Sequence, residues 1–199
     1  MRTFITALVA TIVLSVITGI IYPLAIWGLA QTIFPTQAGG SLIVAGNKVL
    51  GSSLIGQNFS SSRYFQGRPS AAGDKGYDAA NSGGSNLGPT NKALIDAVKL
   101  RLKNLVESNP GVDARQVPVD LVTASGSGLD PEISPAAANL QVTRVARARG
   151  LSEDRVRQLI AENTRPRSAG IFGEPGVNVL LLNLALDRAT RSHGGTPGT

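Results

Sequence analysis

The densest run of chemistry-capable residues is Ser82-Gly83-Gly84-Ser85-Asn86-Leu87-Gly88-Pro89-Thr90-Asn91. A glycine-rich loop feeding a helix can hold phosphate, because uncovered backbone amides point at the anion and the helix N-terminus adds partial positive charge. Ser82, Gly83, Gly84 and Ser85 are the candidate contacts. The run departs from a Walker loop, which needs G-x-x-x-x-G-K-[ST]; no Lys-Ser or Lys-Thr follows a glycine in this chain. The competing reading is a tight turn, its glycines left-handed and Asn86 and Asn91 satisfying backbone groups.

Other constellations are incomplete. Gly126-Ser127-Gly128 opens like a dinucleotide fingerprint, but Pro131 stands at the third glycine. Asp74-Lys75-Gly76 begins like the phosphorylated aspartate motif of P-type pumps and lacks the Thr-Gly-Thr that should follow. The only histidine, His193, falls in an expected C-terminal tail, so Ser-His-Asp catalysis is excluded. Asp120, Asp130 and Glu132 read as a carboxylate cluster or, more simply, as solvated caps near proline and glycine turns. Arg144, Arg147 and Arg149 read as a solvated basic helix face. No catalytic set survives; the residues describe an anchored accessory domain.

The elements that must position these residues begin with Phe4 to Phe34, a stretch without one formal charge. A bilayer core takes about 20 mostly apolar helical residues. Thr6, Thr11, Ser15 and Thr18 interrupt it at little cost, since a hydroxyl can bond a carbonyl one turn back. A signal peptide is the alternative, with Gly28-Leu29-Ala30 as its cleavage site, but a signal core runs only about 7 to 15 residues. Tyr22 and Trp27 suit an interfacial belt. Arg2 and the amino terminus flank one end, while no charge occurs on the other until Lys48. The positive-inside rule therefore sets the N-terminus in the cytoplasm and the remainder outside.

The expected organisation is residues 1–34 as cytoplasmic terminus and transmembrane helix, 35–191 as one extracytoplasmic α+β domain, and 192–199 as a disordered tail. The net charge of +6 could suit nucleic acid, yet the basic residues are spread out, aromatics make up only 5%, and an external domain meets no nucleic acid. Cysteine is absent, which removes disulfides and thiolate metal sites. In order, Ser41–Val44 and Val49–Ile55 read as a hairpin around Ala45 to Lys48. A long polar loop covers Gln57 to Gly88, and its Tyr64-Phe65 and Arg68 argue for order. Thr90 would cap a helix carrying Leu94, Ile95, Val98, Leu102, Leu105 and Val106 on one stripe, ended by Asn109-Pro110-Gly111. Val117 to Thr123 alternates as a short strand. Ser134-Pro135 opens a helix to Arg149, stopped by Gly150, and Ser152 caps the next. Val177 to Asp187 is helix or strand, with helix favoured by its Leu and Ala content.

Taken together, the anchor, Tyr64-Phe65-Gln66-Gly67-Arg68-Pro69-Ser70-Ala71, the Ser82 to Asn91 run, Val122 to Pro131, Arg144-Val145-Ala146-Arg147-Ala148-Arg149, and Val177 to Asp187 closely resemble the KdpC family. These are the small single-span subunits of bacterial Kdp potassium-transporting ATPases. Glu132 departs from the histidine that many members carry before Ile-Ser-Pro, so any role of that histidine does not transfer.

The resemblance implies a non-catalytic subunit of an ATP-driven, high-affinity potassium import complex in the cell (inner) membrane. Its partners would be a channel-like potassium-translocating subunit and a P-type ATPase subunit. For the family it also implies a catalytic chaperone that raises ATP affinity, with Ser82, Gly83, Gly84 and Ser85 likened to the signature loop of ABC transporters and ATP as a shared cofactor. The alternative is a nucleotide-binding regulator acting directly through that loop. An external domain cannot reach cytoplasmic ATP, so the charge-based orientation favours support of the channel subunit. Ala7, Thr11, Ser15, Thr18 and Gly19 then read as a surface for close packing against partner helices.

Overall fold

The structure is a computed structural model and describes residues 1–193, with side chains through Arg191. The chain forms two compact units, Met1–Ser52 and one that begins at Ser53.

In the first unit, helix α1 (Arg2–Val16) passes through a π-helical turn (Ile17–Ile21) into α2 (Tyr22–Ile33). The π turn has a local cause. Pro23 has no N–H for the Gly19 carbonyl and its ring would crowd that carbonyl, so the ladder widens just before it. Arg2–Ile33 is the one helix among the described residues long and apolar enough to cross a membrane. At 1.5 Å per residue its 32 residues reach about 48 Å. The hydroxyls behave as their positions require: Thr6 Oγ1 donates to Arg2 O (3.0 Å), Thr11 to Ala7 O (2.9 Å) and Thr18 to Leu14 O (2.8 Å).

After a single turn, α3 (Pro35–Ala38), the hairpin pairs β1 (Leu42–Ala45) with β2 (Lys48–Ser52). Ala45 and Lys48 are themselves a pair, so the connection is only Gly46-Asn47, and the second strand stops at Ser52 rather than Ile55. Gly46 sits at φ +60°, as the first centre of a II′-type turn requires.

The second unit is α+β, as expected. Helix α4 (Lys92–Ser108) is capped by Asn91, whose side chain accepts from Ala93 N, not by Thr90. Its stripe is shallower than periodicity suggests: Leu105 is buried, Leu94, Val98 and Leu102 are half-buried, and Ile95 is exposed. The expected strand over Val117 to Thr123 is absent. Pro118 instead leads into a 3-10 turn, Val119–Leu121, that buries Leu121. The helix expected from Ser134 to Arg149 is two helices, α5 (Pro135–Leu140) and α6 (Val142–Arg149), broken at Gln141. Ser134 caps the first, and Gly150, left-handed at φ 66°, ends the second. Helix α7 (Glu153–Glu162) starts from Ser152 as its spacing predicts.

The aliphatic run at Val177 proves to be both alternatives in sequence, strand β5 (Gly176–Asn178) followed by α8 (Val179–His193). Two short strands too small to show periodicity, β3 (Glu132–Ile133) and β4 (Thr164–Arg165), flank β5 antiparallel in the order β3-β5-β4. The core joins Ile133 and Val177 of the sheet to Val142 and Val145 of α6, Val156 and Leu159 of α7, and Leu182 and Leu186 of α8. The expected tail begins inside α8, which takes in Ser192 and His193; residues 194–199 lie outside the described residues.

Candidate functional site

The site builds from the long loop after Gln57. It is ordered because side chains of the helices hold its backbone. Asn183 of α8 accepts from Phe65 N (2.8 Å) through Oδ1 and donates to Phe65 O (3.0 Å) through Nδ2. Gln141, at the α5–α6 break, does the same to Gln66: Oε1 accepts from its N–H (2.8 Å) and Nε2 donates to its carbonyl (3.1 Å). Each amide thus imitates a neighbouring β-strand for one residue. Between them Phe65 is fully buried.

Two arginines complete the grip, and they correct the expectation of a solvated basic face. Arg144 and Arg149 are both 7% exposed; only Arg147 of the three is open to solvent. Arg144 is surrounded by neutral oxygens, donating to Asn109 Oδ1 (2.9 Å), Ser62 O (2.7 Å), Tyr64 O (2.9 Å) and Gln141 Oε1 (2.6 Å). Burial pushes its pKa down to about 10, which leaves it a cation at neutral pH. Arg149 donates to Arg63 O, pairs with Asp187 at 2.9 Å and lies over the Tyr64 ring, 4.7 Å from its centroid.

The loop so fixed carries a knot around Tyr77. This residue sits at φ 58°, a left-handed conformation that is costly for a bulky side chain and persists only when the surroundings over-determine it. They do. Its N–H donates to Ser70 Oγ (2.7 Å) and its hydroxyl to Arg68 O (2.6 Å), while the ring packs where Gly56 and Gly67 leave no room for a Cβ. Burial, and secondly the Asp130 carboxylate, push the Tyr77 phenol up to about 12; Arg68 opposes them. Ser70 donates onward to Gly128 O, and Arg68 pairs with Asp130 at 3.0 Å.

The two glycine loops close on each other beside this knot. Gly83 N donates to Ser127 O (2.8 Å) and Ser82 Oγ donates to the same carbonyl (3.0 Å). A Cβ on Gly84 would stand 3.0 Å from Gly126 O, and one on Gly128 would stand 2.6 Å from Gly83 O. Of the glycines in the candidate run, Gly84 serves close approach, while a Cβ on Gly83 or Gly88 would meet nothing within 4 Å. Gly83, Gly84 and Gly88 do not have positive φ; Asn86, at 52°, does, which corrects the turn reading. Ser85 is exposed, and six further residues separate it from the helix that starts at Lys92. The Gly83 amide and the Ser82 hydroxyl of the run are thus both directed at the Ser127 carbonyl.

The three carboxylates line one open cleft, but each is held by a different partner. Asp120 accepts from Ser134 N (2.7 Å), Asp130 pairs with Arg68, and Glu132 pairs with Arg165 at 2.6 Å, which in turn raises the Arg165 pKa. Among the described residues no group of three or more His, Asp or Glu could hold a metal ion.

A family model described as "K+-transporting ATPase, c chain" (KdpC) matches residues 4–188. The chain belongs to the KdpC family. It is 60% identical over 196 residues to the "Potassium-transporting ATPase KdpC subunit" of Rhodopseudomonas palustris (strain BisB5), covering 93% of this chain and 96% of that protein. To the subunit of the same name from Polynucleobacter asymbioticus it is 57% identical over 176 residues, covering 88% of this chain and 93% of that one.

In this chain the sequence pattern did not single out Gln141, Asn183 or Tyr77. A signal for the first two was present: each is an amide inside an apolar helical stripe, Gln141 beside Val142 and Val145, Asn183 beside Leu182 and Leu186. A buried amide needs a partner, and here the partner is a distant backbone. Nothing in the sequence marks Tyr77 as left-handed.

Proposed function

We propose that this chain is a non-catalytic accessory subunit of an ATP-driven potassium import complex, acting by binding a channel-like potassium-translocating subunit and a P-type ATPase subunit. The match to the KdpC family over residues 4–188 carries this reading. The ordered loop surface held by Asn183, Gln141 and Arg144 suits a subunit that acts by binding. Deletion of the chain from a coexpressed complex abolishes or strongly reduces potassium-stimulated ATPase activity; a fully assembled and fully active complex without it sinks the proposal.

The domain works outside the cytoplasm of a cell whose inner membrane the Arg2–Ile33 helix spans, with Arg2 and the amino terminus inside. Ala114 is exposed and the chain has no native cysteine, so Ala114→Cys gives a clean probe. Labelling of intact cells by an impermeant thiol reagent is the expected result. Protection until lysis reverses the orientation.

The alternative is a regulator that binds ATP directly through Ser82, Gly83, Gly84 and Ser85 and so raises ATP affinity. It requires the Ser127 carbonyl to leave the Gly83 amide. Photolabelling of the complex with an ATP analogue, wild type against Gly84→Asp, tests it, and equal labelling of this subunit counts against the loop.

A further inference from the structure

The three most exposed large apolar side chains of the domain lie in two loops, the turn after Pro118 and the connection from β4 to β5. Val119, Ile171 and Phe172 are 69%, 69% and 66% exposed. Ile171 and Phe172 form the tip of the connection from β4 to β5, and this connection is rigid. Ser168 and Phe172 exchange backbone bonds in both directions (2.8 and 2.9 Å), and Gly170 N donates to Arg167 O (3.1 Å). Ala169, Gly170 and Gly173 take left-handed conformations at φ 51°, 77° and 76° to make the turn. Arg167 closes the base with two bonds to the Glu174 carboxylate (2.8 and 2.6 Å). A residue without special need would not hold Ala169 left-handed to show a phenyl ring to water; the structure spends conformational freedom on presentation.

Immediately beside the finger lies an open cleft of about 440 Å3. Val119 forms one wall, and Asp120, Asp130, Glu132, Glu174 and Arg68 contribute its charges. Arg68, Arg165 and Arg167 each pair with one of these carboxylates. Asp120 has no ion-pair partner among the described residues, its oxygens being held by Ser134 N and Oγ. The collar is therefore neutral to acidic. Loops that insert into lipid combine apolar tips with cationic surrounds, since the headgroups carry negative charge. This one has the opposite balance.

We propose that the Ile171-Phe172 finger and Val119 dock into an apolar pocket, rimmed by cationic side chains, on another subunit of the complex. The inference rests on the subunit reading above and assigns its contact surface. Two or three side chains make a weak anchor between free proteins, but a chain held in the same membrane presents them at high effective concentration. Rigid presentation lowers the ordering cost further.

The test uses the full chain coexpressed with the channel-like and ATPase subunits. Ile171→Asp combined with Phe172→Asp lowers co-purification at least tenfold while the thermal melt of the chain is unchanged. Leu100→Asp, on the exposed face of α4, leaves co-purification intact. A photoactivatable benzophenone side chain at position 172 crosslinks to a partner polypeptide. Undiminished co-purification of the double variant, an equal loss with Leu100→Asp, or crosslinking to lipid alone overturns the docking surface while leaving the subunit reading in place. Failure of the wild-type chain to co-purify overturns both, and is distinguished by occurring before any substitution.

Discussion

The N-terminal helix and the loop that follows the hairpin meet the same demand, a partner for every polar group that apolar surroundings would strand, by opposite routes. In the helix the donors look four residues back, Thr6 to Arg2, Thr11 to Ala7, Thr18 to Leu14. In the loop they look across the chain, Phe65 to Asn183 over 118 residues and Gln66 to Gln141 over 75. The first solution is independent of tertiary structure and survives in any environment that keeps the helix. The second exists only when α5, α6 and α8 are already packed, so the loop inherits the stability of the core. A loop fixed this way can present a surface without regular structure of its own.

The largest expected effect strikes the long-range clamp. Asn183→Leu keeps the volume but leaves Phe65 N–H and C=O buried and unpaired, at about 1 to 3 kcal/mol each. A loss of about 3 kcal/mol in chemical denaturation of the full chain in detergent, followed by circular dichroism, is the expected outcome. A change below about 0.5 kcal/mol, within the range of an ordinary surface substitution, would mean that the loop is satisfied by water instead.

Next comes the knot. A Cβ at Gly56 would meet the Tyr77 ring and stand 2.6 Å from Asp130 O, and the ring is tethered through its hydroxyl to Arg68 O. Gly56→Ala should cost about 2 kcal/mol, the usual scale of forced overpacking. Gly46→Ala, where nothing lies within 4 Å but φ is +60°, isolates the cost of backbone strain alone. If both variants lose the same amount, crowding is not what holds Tyr77.

The phenol gives a pH signature smaller than either. Tyr77 titrates near 10 when unfolded and at about 12 in the folded domain. A raised folded pKa means that its stabilisation is complete below pH 10 and is lost as pH rises through about 12. Denaturation midpoints measured from pH 9 to 12 should fall across the upper half of that range, and Tyr77→Phe should flatten that part of the fall. An identical profile in the variant would place the titration elsewhere.

What the sequence disclosed follows the same division. Caps, stops and the span are local: Ser134, Ser152, Gly150 and the uncharged run to Phe34 act within a turn of where they stand, and each was legible. The strand expected at Val117 to Thr123 failed because alternation was outweighed by Pro118, which seeds a 3-10 turn. The helix through Gln141 was read as continuous because nothing nearby records that its amide is needed by Gln66. Arg144 and Arg149 were read as solvated for the same reason: their acceptors, Ser62 O, Tyr64 O and Arg63 O, are main-chain atoms that any sequence would offer. In the glycine loops the residue type was informative and its reason was not. Close approach of two loops, seen at Gly84, and an open anion cradle both call for glycine, and residue type alone does not separate them.

The smallest effect on folding, and the sharpest use of the comparison, belongs to Gly19. It lies in the π turn before Pro23, and a Cβ there meets nothing within 4 Å in this chain. Since the helix satisfies itself locally, Gly19→Leu should leave membrane insertion and the denaturation midpoint unchanged within about 0.5 kcal/mol. A small residue in a span allows a neighbouring helix to approach closely, and leucine pushes it away. Co-purification with the partner subunits should therefore fall while the chain itself stays intact. If co-purification holds, the helix serves as an anchor only, and the contacts of this subunit with its complex lie in the domain.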